Sequence, residues 1–310
     1  MAGASAGVRC PRQKRNDKVG PEVESIDIGQ VLIVGGSGRL GTLLRRAWAL
    51  ADQGGLVWQH RGAGVGPCFD ALADPVAYAR AAAGPDAILN LAGRVGGGAA
   101  SLSAHRDLAL AALEAGRAAG VARVFLASSA AVYGRALVPA RETDPVAPVS
   151  DYGRAKAEME AAALAWVAAH PGGPAVTCLR IGNVAGADQL LGAPEGEAPQ
   201  PLDLFADGSG PARSYVGPLA LAAILSKLFT AQRAGRALPD VLNIALDGAV
   251  RMEALLEAAG RAWRARTAPE HLLREVRLDV TRLGAVVGPL ALAEAAAIVA
   301  DLRRVTEAGA

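Results

Sequence analysis

The chain has 310 residues, 52% of them apolar, which is enough for one large α/β domain, or one domain plus a small lobe, with a sizeable core. Its formal net charge of +2 gives no indication of nucleic acid or an anionic membrane as a partner. No apolar run is long enough to span a bilayer. Three cysteines and four scattered histidines without metal-ligand spacing predict no metal site and a reducing, cytoplasmic location.

The start of the chain is basic and is not followed by an apolar segment, which argues against a secretory signal. We predict a disordered basic tail over residues 1–25, because such a segment lacks apolar side chains to pack. A nucleic-acid or scaffold role for this tail is the alternative.

Short apolar runs then alternate with helix-forming segments. The runs end at glycine or polar residues, as buried parallel strands do. The predicted strands cover residues 31–34, 56–59, 87–91, 123–127 and 176–180, and the predicted helices cover residues 42–50, 75–83, 102–119 and 152–170. This alternation predicts a Rossmann-type doubly wound parallel sheet over residues 26–180.

The pattern changes after Arg180. Residues 182–210 are rich in Gly, Pro and Ala and are predicted as loop. Helices are predicted at 219–233, 252–262 and 290–305, and one more sheet strand at 241–245. We therefore predict a small C-terminal substrate-binding lobe over residues 181–310, interleaved with that last strand.

Glycines 35, 38 and 41 lie between the first strand and the first helix, in Gly35-Gly36-Ser37-Gly38-Arg39-Leu40-Gly41. Such a turn lets the backbone approach a pyrophosphate and directs a helix N-terminus towards it. The turn predicts dinucleotide binding, and the residues assigned to the cofactor are Gly35, Ser37, Gly38, Arg39, Leu40 and Gly41.

The end of the second strand bears on the choice between NAD and NADP. NAD sites usually carry an acidic residue about 20 residues after the turn, to hold the ribose 2′-hydroxyl. No Asp or Glu occurs between Leu56 and Phe69. Arg61, helped by Arg39, is suited to a 2′-phosphate, so NADP is favoured over NAD. Asp70 is placed to accept a hydrogen bond from the adenine amino group.

Tyr152 and Lys156 lie four residues apart on a predicted helix and therefore share one face. A nearby ammonium favours the phenolate, so Lys156 is expected to lower the pKa of Tyr152. The pair predicts acid/base chemistry on a sugar or alcohol oxygen, beside a cofactor that exchanges hydride.

Together these motifs resemble the extended short-chain dehydrogenase/reductase superfamily, the NAD-dependent epimerase/dehydratase family, over about residues 28–245. The motifs are the glycine turn, Asn90-Leu91-Ala92-Gly93, Ser128-Ser129-Ala130-Ala131-Val132-Tyr133-Gly134, Tyr152-x-x-x-Lys156, Arg180-Ile181-Gly182-Asn183-Val184, and Asp207-Gly208-Ser209 with Ala212-Arg213-Ser214-Tyr215-Val216.

The resemblance implies that Ser129 hydrogen-bonds the reacting oxygen, that Tyr152 transfers the proton, and that Lys156 holds the cofactor ribose. It also implies cofactor contacts from Leu91, Ala92 and Gly93, and substrate contacts from Ser129, Asn183 and Arg213, the last two at a nucleotide-sugar pyrophosphate. Family relatives are often homodimers, so a homodimer is an expectation as well.

Three departures from the family pattern narrow the expectation. Ala130 and Ala131 stand where 4,6-dehydratases carry an Asp-Glu pair, and methyl groups transfer no proton, so that activity is disfavoured. A relay Asn is absent near His105-Arg106-Asp107. Gly217-Pro218-Leu219 replaces the usual His and Asp after Tyr-Val.

The sequence predicts an NAD(P)-dependent epimerase or reductase that acts on a small molecule, namely a sugar, a nucleotide sugar or a similar carbonyl or alcohol. It does not separate the two reactions and does not name the substrate. The alternative is a non-catalytic protein of the same fold that binds or senses NAD(P).

Overall fold

A computed structural model describes residues 25–62, 64–93, 99–135, 139–193 and 199–308. The basic tail predicted for residues 1–25 thus lies outside the described residues, except for its last position. In chain order the described strands are β1 (Val31–Val34), β2 (Leu56–Trp58), β3 (Ala87–Asn90), β4 (Arg123–Ser129), β5 (Ala175–Ile181), β6 (Asn183–Val184), β7 (Gln200–Leu204), β8 (Ala212–Arg213), β9 (Tyr215–Val216), β10 (Val241–Ile244), β11 (Val250–Arg251), β12 (Trp263–Thr267) and β13 (Glu275–Val276).

The described α-helices are α1 (Arg39–Leu50), α2 (Pro75–Ala82), α3 (Ala99–Ala119), α4 (Asp151–Ala169), α5 (Pro218–Arg233), α6 (Met252–Ala259), α7 (Thr281–Val287) and α8 (Ala295–Glu307). A short 3-10 helix, Ala130–Val132, follows β4 directly. None of the helices in the described part of the chain combines the length and apolar character that a bilayer-spanning segment needs.

Six parallel strands form the central sheet, in the order β10-β5-β4-β3-β1-β2. The chain runs outward from β1 to β2 on one side and then returns to β3 on the other. This reversal of direction opens a crevice at the carboxyl ends of β1 and β3, which is where ligands bind in open α/β sheets. The predicted Rossmann-type parallel sheet is confirmed.

Helices cover both faces of this sheet. Leu32 and Val34 belong to the apolar cluster on the face of α2, α3 and α4, whereas Val31 and Ile33 belong to the cluster on the face of α1, α5 and α8. Successive side chains of a strand point to opposite faces, so an uninterrupted apolar run is buried on both. This explains why β1 is fully buried without any alternation in its sequence.

Three small sheets follow β5. Strands β6 and β9 pair in parallel, β7 pairs in parallel with β12, and β8 lies between β11 and β13. The prediction of loop over residues 182–210 is therefore wrong at β6 and β7. The partner of β7 begins at Trp263, so the pairing depends on contacts far away in sequence that no local pattern records. The seven-residue helix α7 was also missed, because it is too short for a helical repeat.

A carboxylate from α8 caps the N-terminus of α5. The backbone N–H of Leu219 donates to Oδ1 of Asp301 at 2.7 Å, and that of Ala220 donates to Oδ2 at 3.0 Å. A Cβ at Gly217 would lie 2.3 Å from the Asp301 carboxyl carbon, so glycine is required there. The unusual Gly217-Pro218-Leu219 segment is thus explained, because the cap comes from a distant helix.

Candidate active site

The glycine turn joins β1 to α1 at the crevice in the sheet. Gly35 has φ +86°, and a Cβ there would lie 2.5 Å from the backbone N of Ala92. Gly38 is the N-cap of α1 and supplies no side-chain cap, and a Cβ on it would meet only the Gly35 carbonyl, at 3.5 Å. The first turn of α1 therefore begins beside open space, with its amides available to an anion.

Gln59, which directly follows β2, braces this turn. It is 5% exposed, and its Oε1 accepts a hydrogen bond from the backbone N of Gly35 at 3.3 Å. Its Nε2 donates to the carbonyl of Phe69 at 2.6 Å. The sequence reasoning gave Gln59 no role. The signal that could have found it is an amide side chain, rather than an acidic one, at the end of the second predicted strand.

Arg61 and Asp70 lie close together in the segment after β2, both exposed. The pKa of Asp70 is lowered mainly by backbone hydrogen bonds from Leu72 and Ala73, and Arg61 adds a smaller lowering. Arg39 is exposed at the first position of α1. Both arginines are therefore exposed to solvent, while Asp70 also has a local structural role.

The segment after β3 forms the opposite wall of the crevice. The Asn90 side chain accepts from the backbone N of Ala92 and donates to the carbonyl of Leu108, both at 3.0 Å. Leu91 and Ala92 are half-buried beside Gly35, and Gly93 is exposed. The predicted cofactor residues of the glycine turn and of this segment are therefore brought together.

Ser129, Tyr152 and Lys156 converge at the end of β4. Ser129 is the last residue of that strand, and Tyr152 lies in the first turn of α4, which is capped by Ser150. Burial raises the pKa of Tyr152, while a hydrogen bond with Ser129 opposes that rise. The Ser129 hydroxyl also accepts from the backbone N of Ala131 at 3.2 Å.

Lys156 is 5% exposed, and its Nζ donates to the carbonyl of Ala127 at 2.5 Å. The same Nζ lies 5.8 Å from the ring centroid of Tyr152. Burial lowers the pKa of Lys156 to about 8, against an opposing effect of Glu160. The expectation of a Tyr152 pKa below its ordinary value is wrong for this structure, because burial of the phenol dominates that pKa and raises it.

His105, on α3, packs against the phenol ring. The two ring centroids are 5.8 Å apart with an interplanar angle of 73°, an edge-to-face contact. His105 is 2% exposed, and a Cβ at Gly93 would lie 2.2 Å from its Cε1. The region in which a relay Asn was sought thus supplies a buried imidazole, which the sequence reasoning mentioned and gave no role.

Asn183 and Arg213, the predicted substrate contacts, lie in the small sheets. Asn183 pairs with Tyr215 in the register of β6 and β9. The Arg213 guanidinium donates to the carbonyls of Ala212 at 2.7 Å and Leu273 at 2.9 Å. Burial lowers the pKa of Arg213. In this structure Arg213 therefore links β8 to the segment before β13.

Tyr215 and Asp188 were missed by the sequence reasoning. The hydroxyl of Tyr215 donates to Oδ2 of Asp188 at 2.6 Å, and Oδ1 of Asp188 accepts from the backbone N of Leu191 at 2.9 Å. Both side chains are largely buried, and burial raises both pKa values. They fix the segment that follows Asn183.

Solved structures show the same fold. One is a UDP-glucose 4-epimerase from Stenotrophomonas maltophila with bound NAD and formylated UDP-arabinopyranose, at 19% identity and a TM-score of 0.73, covering 91% of this chain and 98% of that chain. MoeE5 in complex with UDP-glucose and NAD has 22% identity and a TM-score of 0.70, covering 91% and 99%. A UDP-glucose 4-epimerase from Bifidobacterium longum with NAD+ and UDP has 17% identity and a TM-score of 0.71, covering 90% and 98%.

A comparison with curated protein sequences found no match. The sequence profile of the NAD dependent epimerase/dehydratase family, by contrast, matches residues 31–208, which is more than half of the 310 residues and includes the glycine turn, Ser129, Tyr152 and Lys156. The chain belongs to the NAD dependent epimerase/dehydratase family.

Proposed function

We propose that the protein is an NAD(P)-dependent epimerase or reductase that acts on a nucleotide sugar. The observation that carries the proposal is the convergence of a hydroxyl, a phenol and an ammonium from Ser129, Tyr152 and Lys156 at the carboxyl end of β4. This site lies on the same sheet edge as the glycine turn, two strands away from β1.

The glycine turn fits a dinucleotide. Gly38 borders open space at the N-terminus of α1, and Gly35 and Ala92 bring the backbones of two strand ends together. These residues, with Leu91 and Gly93, would hold the pyrophosphate and the adjoining ribose. When bound, the nicotinamide accepts hydride from the substrate carbon or delivers hydride to it.

The end of β2 supports NADP over NAD. Gln59 presents a neutral amide whose groups already bond Gly35 and Phe69, so no carboxylate there repels a 2′-phosphate. Arg61, in the segment after β2, and Arg39, at the start of α1, are both exposed cations. Arginine suits phosphate because its planar fork donates two parallel hydrogen bonds.

Tyr152 is assigned the proton transfer. Its raised pKa keeps the phenol protonated at neutral pH, so it is ready to donate a proton to a substrate oxygen that gains charge as hydride arrives at the carbon. In the opposite direction the phenolate is needed, and the charged Lys156 next to it favours that form. Ser129 is placed to hydrogen-bond the same oxygen.

Ala130 and Ala131 argue against a 4,6-dehydratase. They form the 3-10 turn that follows Ser129, and neither methyl group takes up or releases a proton. Elimination of water from the sugar would need a second acid/base pair at these positions, so epimerisation and reduction are the reactions that the site supports.

The substrate assignment to nucleotide sugars is supported by the relatives whose structures contain UDP-glucose or UDP-glucuronic acid with NAD. Asn183 lies two residues beyond Ile181, the partner of Ser129 in the register of β4 and β5. A substrate that reaches from Ser129 towards Asn183 and Arg213 would therefore lie along the carboxyl ends of these strands.

The test is to purify the full chain, identify the copurifying dinucleotide by native mass spectrometry, and incubate the protein with a panel of UDP-sugars and dTDP-sugars. Isomer formation without net NAD(P)H change indicates an epimerase, and stoichiometric NADPH or NADH oxidation indicates a reductase. Tyr152→Phe is expected to abolish either signal while the dinucleotide stays bound. Dinucleotide binding with no turnover in the wild-type protein, or equal turnover in Tyr152→Phe, would favour the non-catalytic binding protein instead.

A further inference from the structure

A buried charged network lies directly behind Lys156. Glu160 follows Lys156 by four residues on α4, so the two side chains share one helical face. Arg180 comes from the neighbouring strand β5. Lys156 and Arg180 are each 5% exposed and Glu160 is 3% exposed. Three ionisable side chains therefore meet between the helix and the sheet, where isolated charges are costly.

The Glu160 carboxylate is held from two strands at once. The hydroxyl of Ser128 donates to Oε1 at 2.5 Å, and Nη2 of Arg180 donates to Oε2 at 2.8 Å. Nε of Arg180 lies 3.1 Å from both oxygens. Ser128 and Arg180 are partners in the register of β4 and β5, so sheet pairing itself sets the position of the carboxylate.

Arg180 is fixed on its far side as well. Its Nη1 donates to the carbonyl of Glu142 at 3.4 Å, and its guanidinium carbon lies 4.7 Å from the ring centroid of Tyr133. Hydrogen bonding to Glu160 raises the pKa of Arg180 despite burial. The ion pair with Arg180 therefore holds Glu160 in place relative to Lys156.

The groups that face Lys156 differ in charge. From α4 these are Tyr152 and Glu160, and from β5 it is Cys178, while Arg180 of β5 is paired with Glu160. Burial raises the pKa values of Tyr152 and of the Cys178 thiol, so both are neutral at neutral pH. Glu160, which forms the ion pair with Arg180, is the carboxylate among these groups.

We propose that Glu160 is a positioning residue whose buried carboxylate, held by Ser128 and Arg180, keeps Lys156 charged beside Tyr152. For its catalytic meaning this inference rests on the proposed function. Burial alone favours a neutral amine. With Glu160 opposing that effect, the pKa of Lys156 is about 8, so most molecules carry the ammonium at neutral pH.

The test reads the charge on Lys156 without any substrate. The full chain has four lysines, so isotope labelling of the lysine ε-carbons gives few NMR signals. The signal that disappears in Lys156→Arg is the signal of Lys156. The wild-type signal is expected to titrate with a midpoint of about 8. Glu160→Gln is expected to lower that midpoint by about one unit or more, because an opposite charge nearby is lost. Arg180→Gln is expected to lower it by a smaller amount, because Glu160 is then no longer held in place.

Ser128→Ala is the matched control, since it removes a hydrogen bond to Glu160 and changes no charge. A purely structural network would lower stability in all three variants and leave the Lys156 midpoint unchanged, which would overturn the proposal. If Glu160→Gln does not fold, Arg180→Gln decides by whether its midpoint is lowered. If neither folds, a wild-type midpoint about three units or more below the reference value would indicate burial without an effective counter-charge.

Activity separates this inference from the proposed function. The ammonium of Lys156 is present below its pKa and lost as pH rises through it, so lowering that pKa moves the alkaline limb of kcat/KM to lower pH in Glu160→Gln. Should Tyr152→Phe retain full turnover while the titrations behave as expected, the proposed function fails and the charge assignment stands. Should Tyr152→Phe be inactive while Lys156 titrates identically in every variant, the inference fails alone.

Discussion

The carboxyl edge of the central sheet and the small sheets that follow it hold their ion pairs in opposite ways. The Arg180–Glu160 pair at the sheet edge has side-chain exposures of 6% and 4%, whereas the Arg266–Asp203 pair between β12 and β7 has 59% and 18%. A buried, hydrogen-bonded pair fixes the groups around it, and an exposed pair exchanges readily with water. We infer a rigid side of the molecule at the edge of the central sheet and a more adaptable side in the small sheets.

The largest expected effect tests the rigid side. Tyr152→Phe should lower turnover by about 10²- to 10⁴-fold, the usual contribution of a positioned general acid or base. Tyr78→Phe is the matched control, because within the described residues its buried hydroxyl has no hydrogen-bond partner. Steady-state kinetics on the identified substrate checks both. Equal kcat values in the two variants would show that Tyr152 does not take part in the reaction.

The second prediction compares the two ion pairs directly. Arg180→Gln should lower the free energy of unfolding by about 3–5 kcal/mol, because it leaves the buried carboxylate of Glu160 without its cation. Arg266→Gln should cost little by comparison, because Arg266 is exposed and solvent weakens its pair with Asp203. Urea unfolding of each variant measures the difference. Similar losses would show that burial does not distinguish the two regions.

The third prediction concerns Arg213 on the adaptable side. If its guanidinium leaves the carbonyls of Ala212 and Leu273 to bind a substrate diphosphate, Arg213→Gln should raise KM by about 10- to 100-fold with little change in kcat, since charge-assisted hydrogen bonds contribute about 1.5–3 kcal/mol. Arg264→Gln, an exposed position on β12, serves as the control. A lower kcat with an unchanged KM would contradict a contact between Arg213 and the substrate and would indicate a structural role instead.

The smallest expected effect concerns the cofactor. Arg61→Gln should weaken NADP binding by about tenfold, because one partly solvated cation facing a phosphate contributes about 1 kcal/mol or slightly more. NAD binding should stay unchanged, as should both affinities in Arg80→Gln, which alters an exposed arginine on α2. Calorimetric titration with NADP and with NAD measures the two affinities in each variant. An equal loss of affinity for both dinucleotides would contradict a contact between Arg61 and the 2′-phosphate.

The sequence predicted the sheet edge well because its signals are local. The apolar runs, the glycine turn and the four-residue spacing of Tyr152 and Lys156 each lie within one element and its neighbour. The fold class followed from these segments alone, and so did the residues assigned to acid/base chemistry, whose roles stay a prediction.

The features that sequence reasoning missed depend on pairing between distant segments. The ion pair between Glu160 and Arg180 requires α4 to pack against β5, and β7 becomes a strand only when β12 lies beside it. The pKa of Tyr152 was misjudged for a related reason. Helical spacing shows that Lys156 is near, but it does not show how deeply the phenol is buried.

The cap on α5 has a consequence for how the protein is made. Leu219 and Asp301 are 82 residues apart, and domains emerge from the ribosome N-terminal end first. While the intervening residues are being synthesised, the first amides of α5 lack this cap. Of the segments that α5 packs against, α1 and the strands up to β5 have by then already been synthesised. A nascent chain that has not yet extended to α8 therefore carries an α5 whose first amides have no side-chain cap from Asp301.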